Sequence, residues 1–546
     1  MRRLFSCLLL SAASVAALCG WGGHFAAAQS VEIGQLNAAQ SYDVGPLGPN
    51  NGGLDPALWQ GVSAARASAQ IQAVNVTDLS ELPRRFMRRV LLSAGVPPQG
   101  DQDAQVAYIQ ASTTAKLQLG DYLALQSLSD PQNPLQREAQ FRADLALAAG
   151  DKDAACNESD REIENRTAPY WMQMRIMCHI MRDESAAAEL TLNLMREQDD
   201  KDDGFIATAD YVLGLASNPP DNIVSASLVL NALTSLSEKG NAAVSPSAAA
   251  ALALSENAAP DERLAALFKS ERRLSPEQVK SVMTSLLQLD QGLAGGVSFD
   301  IDTALAGLGN STTQTRSVAQ LYSLAASFND ANASAQANAA LLDFSKRVNF
   351  TPQMTDILAE SLPFMSAQAK AQHGAERFAW AALRRGDLSS LGGIYRELDE
   401  NDPLAGRIAR ASDALGNGFL LGQLGLDIET RLSGKAAVRK EAVRDALIAL
   451  ALGAQLSDVA ENALEDYART DRLNPVALAR LNATAKAGSR ASTLLYVAQA
   501  MGSRSSTDLS GLEIYSYISA LSQAGLTREA GELAAFDFLS RIDKAE

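Results

Sequence analysis

Side chains able to do chemistry are few in this chain, and their spacing excludes most of what they could do. Only three histidines occur, and the two outside the N-terminal region, His179 and His373, are far apart, so an acid/base pair would need the fold to bring them together. His179 follows Cys178 in a stretch containing Met172, Met174, Met177 and Met181. Methionine and histidine can hold a soft metal such as copper. Methionine is also the adaptable filler of core helices, which is the preferred reading. No G-x-S-x-G, H-E-x-x-H or S-x-x-K motif is present. Gly434-Lys435 lacks the flanking residues of a phosphate-binding loop, and Gly416 to Gly422 misses the dinucleotide-binding spacing by one position. These motifs assign no catalytic, cofactor-binding or metal-binding residue.

Acidic groups offer more latitude. In Asp199-Asp200-Lys201-Asp202-Asp203-Gly204, a calcium-loop register puts Lys201 where a ligand is needed and Asp210 where a longer bidentate Glu belongs. A solvated turn that caps the next helix is expected. Glycoside hydrolysis needs only two carboxylates at a set separation, so a carbohydrate-active helical enzyme stays open as an alternative. Against it, aromatic residues make up 5% of the chain, too few for the platforms that sugar clefts use. Glu158, Glu162 and Glu164 fall in one short acidic segment and are read as a solvated face.

Two further groups stand out. Arg84, Arg85, Arg88 and Arg89 fall within roughly 140° of a helical wheel, with Phe86, Met87, Val90 and Leu91 forming the apolar stripe. The arginines are candidate contacts for an anionic surface or an acidic partner. The preferred reading makes them the solvated outer face of a capping helix. Cys156 and Cys178 are an even pair, expected to form a disulfide in an oxidising compartment, with two buried free thiols as the alternative.

The elements that must position these residues read as helices almost throughout from residue 58. Apolar residues recur at three and four, and alternating runs are scarce. Ser275-Pro276-Glu277, Thr351-Pro352 and Asn474-Pro475 are start signals, and Asp101, Thr167 and Thr527 are further N-cap candidates. Gly120-Asp121, Gly150-Asp151 and Arg182-Asp183 recur at 30 to 32 residues, and Gly386-Asp387 and Gly525-Leu526 have the same character. A degenerate period of about 30–35 residues in an all-helical chain points to an all-α solenoid of stacked hairpins. Breakers at Ser217 to Asn222 and at Gly292 to Ser298 suggest soft boundaries. The expected organisation is a signal peptide over 1–28, a flexible Gly- and Pro-rich lead-in over 29–57, N-terminal helical repeats over 58–220, a middle helical segment over 221–348 and C-terminal repeats over 349–546.

Composition sets the class of partner. The 546 residues are 47% hydrophobic and 20% charged, ordinary for a folded chain, and the formal net charge is −16. So acidic a chain is a poor nucleic-acid binder. Arg2 and Arg3, the apolar run Leu4 to Cys19 and the small residues Ala26-Ala27-Ala28 have the three parts of an export signal. Cleavage there would leave Cys156 and Cys178 as the mature cysteines. Export implies the periplasm, or secretion as the alternative. No later stretch is long and apolar enough to span a bilayer, so the processed chain is not expected to be an integral membrane protein.

The segment Ala139 to Asp151, ending Ala146-Leu147-Ala148-Ala149-Gly150-Asp151, resembles a tetratricopeptide-type hairpin turn, as does Phe378 to Asp387. The full repeat pattern is met in no single unit. The whole chain is also similar to large, Ala-rich exported proteins of Alphaproteobacteria. The first resemblance implies capture of a protein or peptide on a concave face. The expected function is therefore a non-catalytic periplasmic scaffold or adaptor for another envelope protein, with the four arginines, Trp171 and Trp380 as contacts. An accessory part of a cell-wall or flagellar assembly machine is the alternative.

Overall fold

The computed structural model describes residues 45–541, apart from 132, 199–201, 219–226, 235, 237–245, 256–257, 289–317, most of 319–330, 400, 417–427 and 469–474. The export signal lies outside these residues, as do the breakers at 219–222 and 292–298. Among the described residues every regular element is helical, and extended pairing is confined to the isolated bridges Leu47 to Ser93 and Ser63 to Gln99. None of the described helices is long and apolar enough to cross a membrane.

The glycine stops work by a common mechanism. Gly150 ends the Ala139–Ala149 helix at φ 87°, its N–H bonding Leu147 O while Asp151 N–H bonds Ala146 O. These two bonds satisfy the orphan carbonyls of a helix end, and the left-handed residue between them is cheapest as glycine. Asp151 then accepts from Ala154 N and caps the Lys152–Arg161 helix, which packs back on its predecessor. Gly386-Asp387 does the same between Ala367–Arg385 and Leu388–Glu397. The third repeat differs by one register. Asp183 itself occupies the left-handed position, φ 60°, and Glu184 stands where the capping Asp stands elsewhere. The recurring Asp at 121, 151 and 183 is therefore not one structural position.

Helix starts follow the capping residues in two cases and miss by one in three. Asp101 accepts from Ala104 N, and Ser275 accepts from Gln278 N. Ala168, Phe350 and Leu526 are the caps where Thr167, Thr351 and Thr527 were expected. In the last two, the threonine is the first helical residue, and next to Ala168 the first-turn proline sets the start.

The main apolar core draws on both ends of the chain, joining Leu58, Phe86 and Leu92 to Leu494, Ile518 and Phe538. Its contact basis is the Glu81–Leu92 helix packed against Arg490–Met501 and Thr527–Ser540. Residues on both sides of 348, Phe344 and Phe350 among them, belong to this one core. A second core, with Trp171, Met174, Ile176, Met177 and Phe205, is gathered around the 143–233 region. The lead-in also differs from expectation where it is described. Leu47 and Leu54 are buried, Leu47 N bonds Leu92 O, and Leu54 N bonds Ser93 Oγ, so 45–57 is packed and not flexible.

Candidate functional site

The Glu81–Leu92 helix carries the arginines, and its apolar stripe is buried as the wheel requires: Phe86, Met87, Val90 and Leu91 are all in the core. At about 1.5–3 kcal/mol per fully buried side chain, this stripe fixes which way the remaining residues point. The opposite side is not a solvated outer face, which corrects the preferred sequence reading. Ser80 N and Oγ bond Gly502 O and Arg504 O, tying the helix start to the C-terminal region. The arginines are drawn inward by carboxylates from elsewhere in the chain.

Arg89 is 6% exposed, and its Nη1 donates to Glu529 (2.6 Å) and Glu532 (3.2 Å) while its Nε donates to Gly52 O. Arg85 lies over the Phe536 ring, donates to Arg384 O and faces Glu532 at 3.6 Å. Arg84 donates to Glu271 at 2.9 Å. Arg88 donates through Nε to Asp121 Oδ2 at 2.7 Å. The same oxygen accepts from Arg272 Nε at 3.1 Å, and Arg272 Nη2 continues to Asp356 at 2.9 Å. Arg384 grips Glu81 with a two-bond fork, 2.6 and 2.7 Å, beneath the Trp380 ring.

These arginines, with Glu81, Asp121, Glu271 and Asp356, line a cavity of about 530 Å³. Its walls come largely from helix ends. Asp121 caps Tyr122–Leu128 and Arg384 lies in the last turn of Ala367–Arg385, each placed where its charge suits the helix dipole. Gly120, beside it, ends the Gln102–Leu119 helix at φ 60°, a left-handed conformation that favours glycine. Burial pushes the Asp121 carboxyl up, but Arg88 and Arg272 outweigh it and hold the group below the usual range. Glu81 is held low in the same way, chiefly by Arg384. Both are therefore ionised at neutral pH and unsuited to act as general acids. Burial pushes Glu529 up, against Arg89. Burial also lowers Arg85, against the pull of Glu532 and Glu81.

A second buried ion-pair cluster lies nearer the C-terminus. Asp445 and Asp537 have fully buried side chains. Arg444 donates from all three nitrogens, to both oxygens of Asp537 and to the carbonyls of Leu509 and Ser506. Arg541 reaches both aspartates, and Arg431 also pairs with Asp445.

The other sequence candidates fall outside the cavity. Cys156 and Cys178 join Lys152–Arg161 to Pro169–Met181 as a disulfide, with Cα atoms 5.7 Å apart, inside the second core. Met172, Met174 and Met177 are buried there, while His179 pairs with Glu184 at 2.6 Å. No cluster of three His, Cys, Asp or Glu suited to a metal occurs among the described residues. Asp202 caps the Asp203–Val212 helix through Phe205 N, and Asp199 to Lys201 lie outside the described residues. Glu158 is not part of a solvated face: its side chain is 12% exposed and accepts two bonds from Arg142. Trp171 is buried in the second core, and Trp380 packs edge-on to Phe536 at the back of the arginine cluster.

Sequence reasoning singled out four of the arginines but missed Arg272, Arg384 and their carboxylate partners. The available signal was the pair Glu529 and Glu532, acids three residues apart within an apolar run and so on one side of a helix. No family model matches the chain, and comparison with curated proteins and with solved structures gives no match.

Proposed function

We propose that this protein is a non-catalytic periplasmic scaffold or adaptor. It would be built from tetratricopeptide-like helical hairpins of the solenoid type and would engage another envelope protein, with the arginine-lined cavity as its point of capture. One observation carries the reading: a ligand-sized cavity lies between early and late helices and is walled by guanidinium groups already oriented by ion pairs. Such preorganisation lowers the ordering cost of binding. The ionised state of Glu81 and Asp121 favours recognition over acid catalysis. The Gly-Asp turns at 150 and 386 favour the hairpin architecture.

Cross-linking in intact cells, followed by purification of the chain and mass spectrometry, tests the proposal. A dominant, stoichiometric envelope partner whose cross-links map to the cavity rim is the expected result. The absence of a reproducible partner would reject it.

A further inference from the structure

The ion pairs around the cavity do not balance. Seven arginines line it, at 84, 85, 88, 89, 272, 384 and 528, against four carboxylates, at 81, 121, 271 and 356. Glu529 and Glu532 answer Arg89, Arg85 and Arg528 without lining the cavity, which still leaves cations in excess within a chain of net charge −16. Unused donors remain as well. Asp121 serves Arg88 and Arg272 through one oxygen, while its other oxygen accepts from Leu123 N, and of the two guanidinium groups Arg272 has a further carboxylate, Asp356. Arg88 is left with its Nη1 and Nη2 donating no hydrogen bond among the described residues. Its side chain is 19% exposed, and the cavity is what it opens on.

A guanidinium held by its Nε, lining a polar cavity with its Nη groups unbonded among the described residues, presents the donor geometry that matches an oxyanion. The rim adds a competitor. Glu271 holds Arg84 from a left-handed backbone, φ 49°, and its side chain is 41% exposed. An exposed ion pair of this kind contributes little, so Glu271 is a carboxylate with which an incoming anion can compete for Arg84. The volume lies within the ~300–1,000 Å³ of small-ligand sites.

We infer that this cavity is an oxyanion-binding site in which Arg88 receives a carboxylate or phosphate group of the ligand. The inference deepens the capture reading above and depends on it only for the source of the oxyanion. A carboxylate would come from an acidic protein segment, a phosphate from a free small anion.

Isothermal titration calorimetry of the purified chain at low ionic strength, with a tetraglutamate peptide and separately with inorganic phosphate, tests it. Saturable binding at one site is expected for at least one probe, weakened about tenfold or more in Arg88→Met and weakened by added salt. Glu271→Gln leaves the buried network intact and should tighten binding several-fold by freeing Arg84. No saturable binding of either probe, or unchanged affinity in both variants, overturns the inference. Should Arg88→Met not fold, unchanged affinity in Glu271→Gln alone overturns it. Peptide binding supports the site and the capture of a protein segment together. Binding of phosphate alone supports the site and removes the protein-capture reading.

Discussion

Arg444 and Arg88 each hold a buried aspartate, but they differ in what remains of the guanidinium. Arg444 places all three nitrogens on protein acceptors, and Asp537 beneath it is fully buried. Arg88 places one nitrogen on Asp121, makes no further hydrogen bond among the described residues and lines a cavity. The first arrangement is a closed joint between helices from 436 to 541. The second is a joint with an open side. Buried ion pairs are therefore not one category in this molecule, and the count of donors left over separates the closed joint from the open one.

Removing a charge from each cluster should have different consequences. Asp445→Asn removes a buried counter-charge shared by Arg410, Arg431 and Arg541 and should cost about 3–5 kcal/mol in chemical unfolding. Anion affinity of the folded fraction should not change. The comparison breaks if Asp445→Asn reduces anion affinity as much as Arg88→Met does. Loss of the disulfide in a Cys156→Ala, Cys178→Ala double variant should cost about 3 kcal/mol, given a loop spanning 22 residues, and should likewise leave anion affinity intact. Arg88→Met should cost only about 1–2 kcal/mol, because Asp121 keeps Arg272 and its backbone donor, while removing most anion binding.

The pH response sharpens the contrast. Asp121, Glu81 and Asp445 are lowered in the fold, so the stability they contribute is present above the ordinary carboxylate range and is lost as pH falls through their folded values. Asp144, which accepts from the Tyr170 hydroxyl at 2.8 Å, behaves oppositely. Burial pushes it from 3.8 up to about 6, against the Tyr170 bond, so its contribution is lost as pH rises from 3.8 through about 6. Asp144→Asn should therefore remove that decline and stabilise the protein at pH 7 by about 1 kcal/mol, discounted for partial exposure. A pH titration of the unfolding midpoint would show it. An unchanged profile would mean that the fold does not raise the Asp144 carboxyl.

Much of the helix punctuation was legible because it is local. Gly150 and Gly386 were read correctly as stops, since a left-handed turn is a property of the residue that occupies it. The shifted register at Asp183 was hidden because Asp serves both as a cap and, less often, as a left-handed residue. The apolar stripe of Glu81–Leu92 was also legible. The fate of its arginines was not. A helical wheel says which residues share a side and says nothing of Glu529, 440 positions away, or of Asp121 and Arg272 facing them. The disulfide was readable from the even number of cysteines together with the expected export, and it sits among buried methionines in the second core.

The bond from Ser80 to Gly502 and the pairing of Arg89 with Glu529 have a consequence for how the chain is made. Synthesis runs from the N-terminus, so the helix that starts at Glu81 emerges long before the residues that neutralise it. Contacts of this sequence separation close late and slowly. Until the last helix arrives, the Glu81–Leu92 segment displays both its apolar stripe and its cations to whatever is nearby. The arrival of Thr527–Ser540 is thus reported more than four hundred residues earlier: a chain lacking that helix leaves Arg89 without Glu529 and Glu532, and its docking buries that arginine.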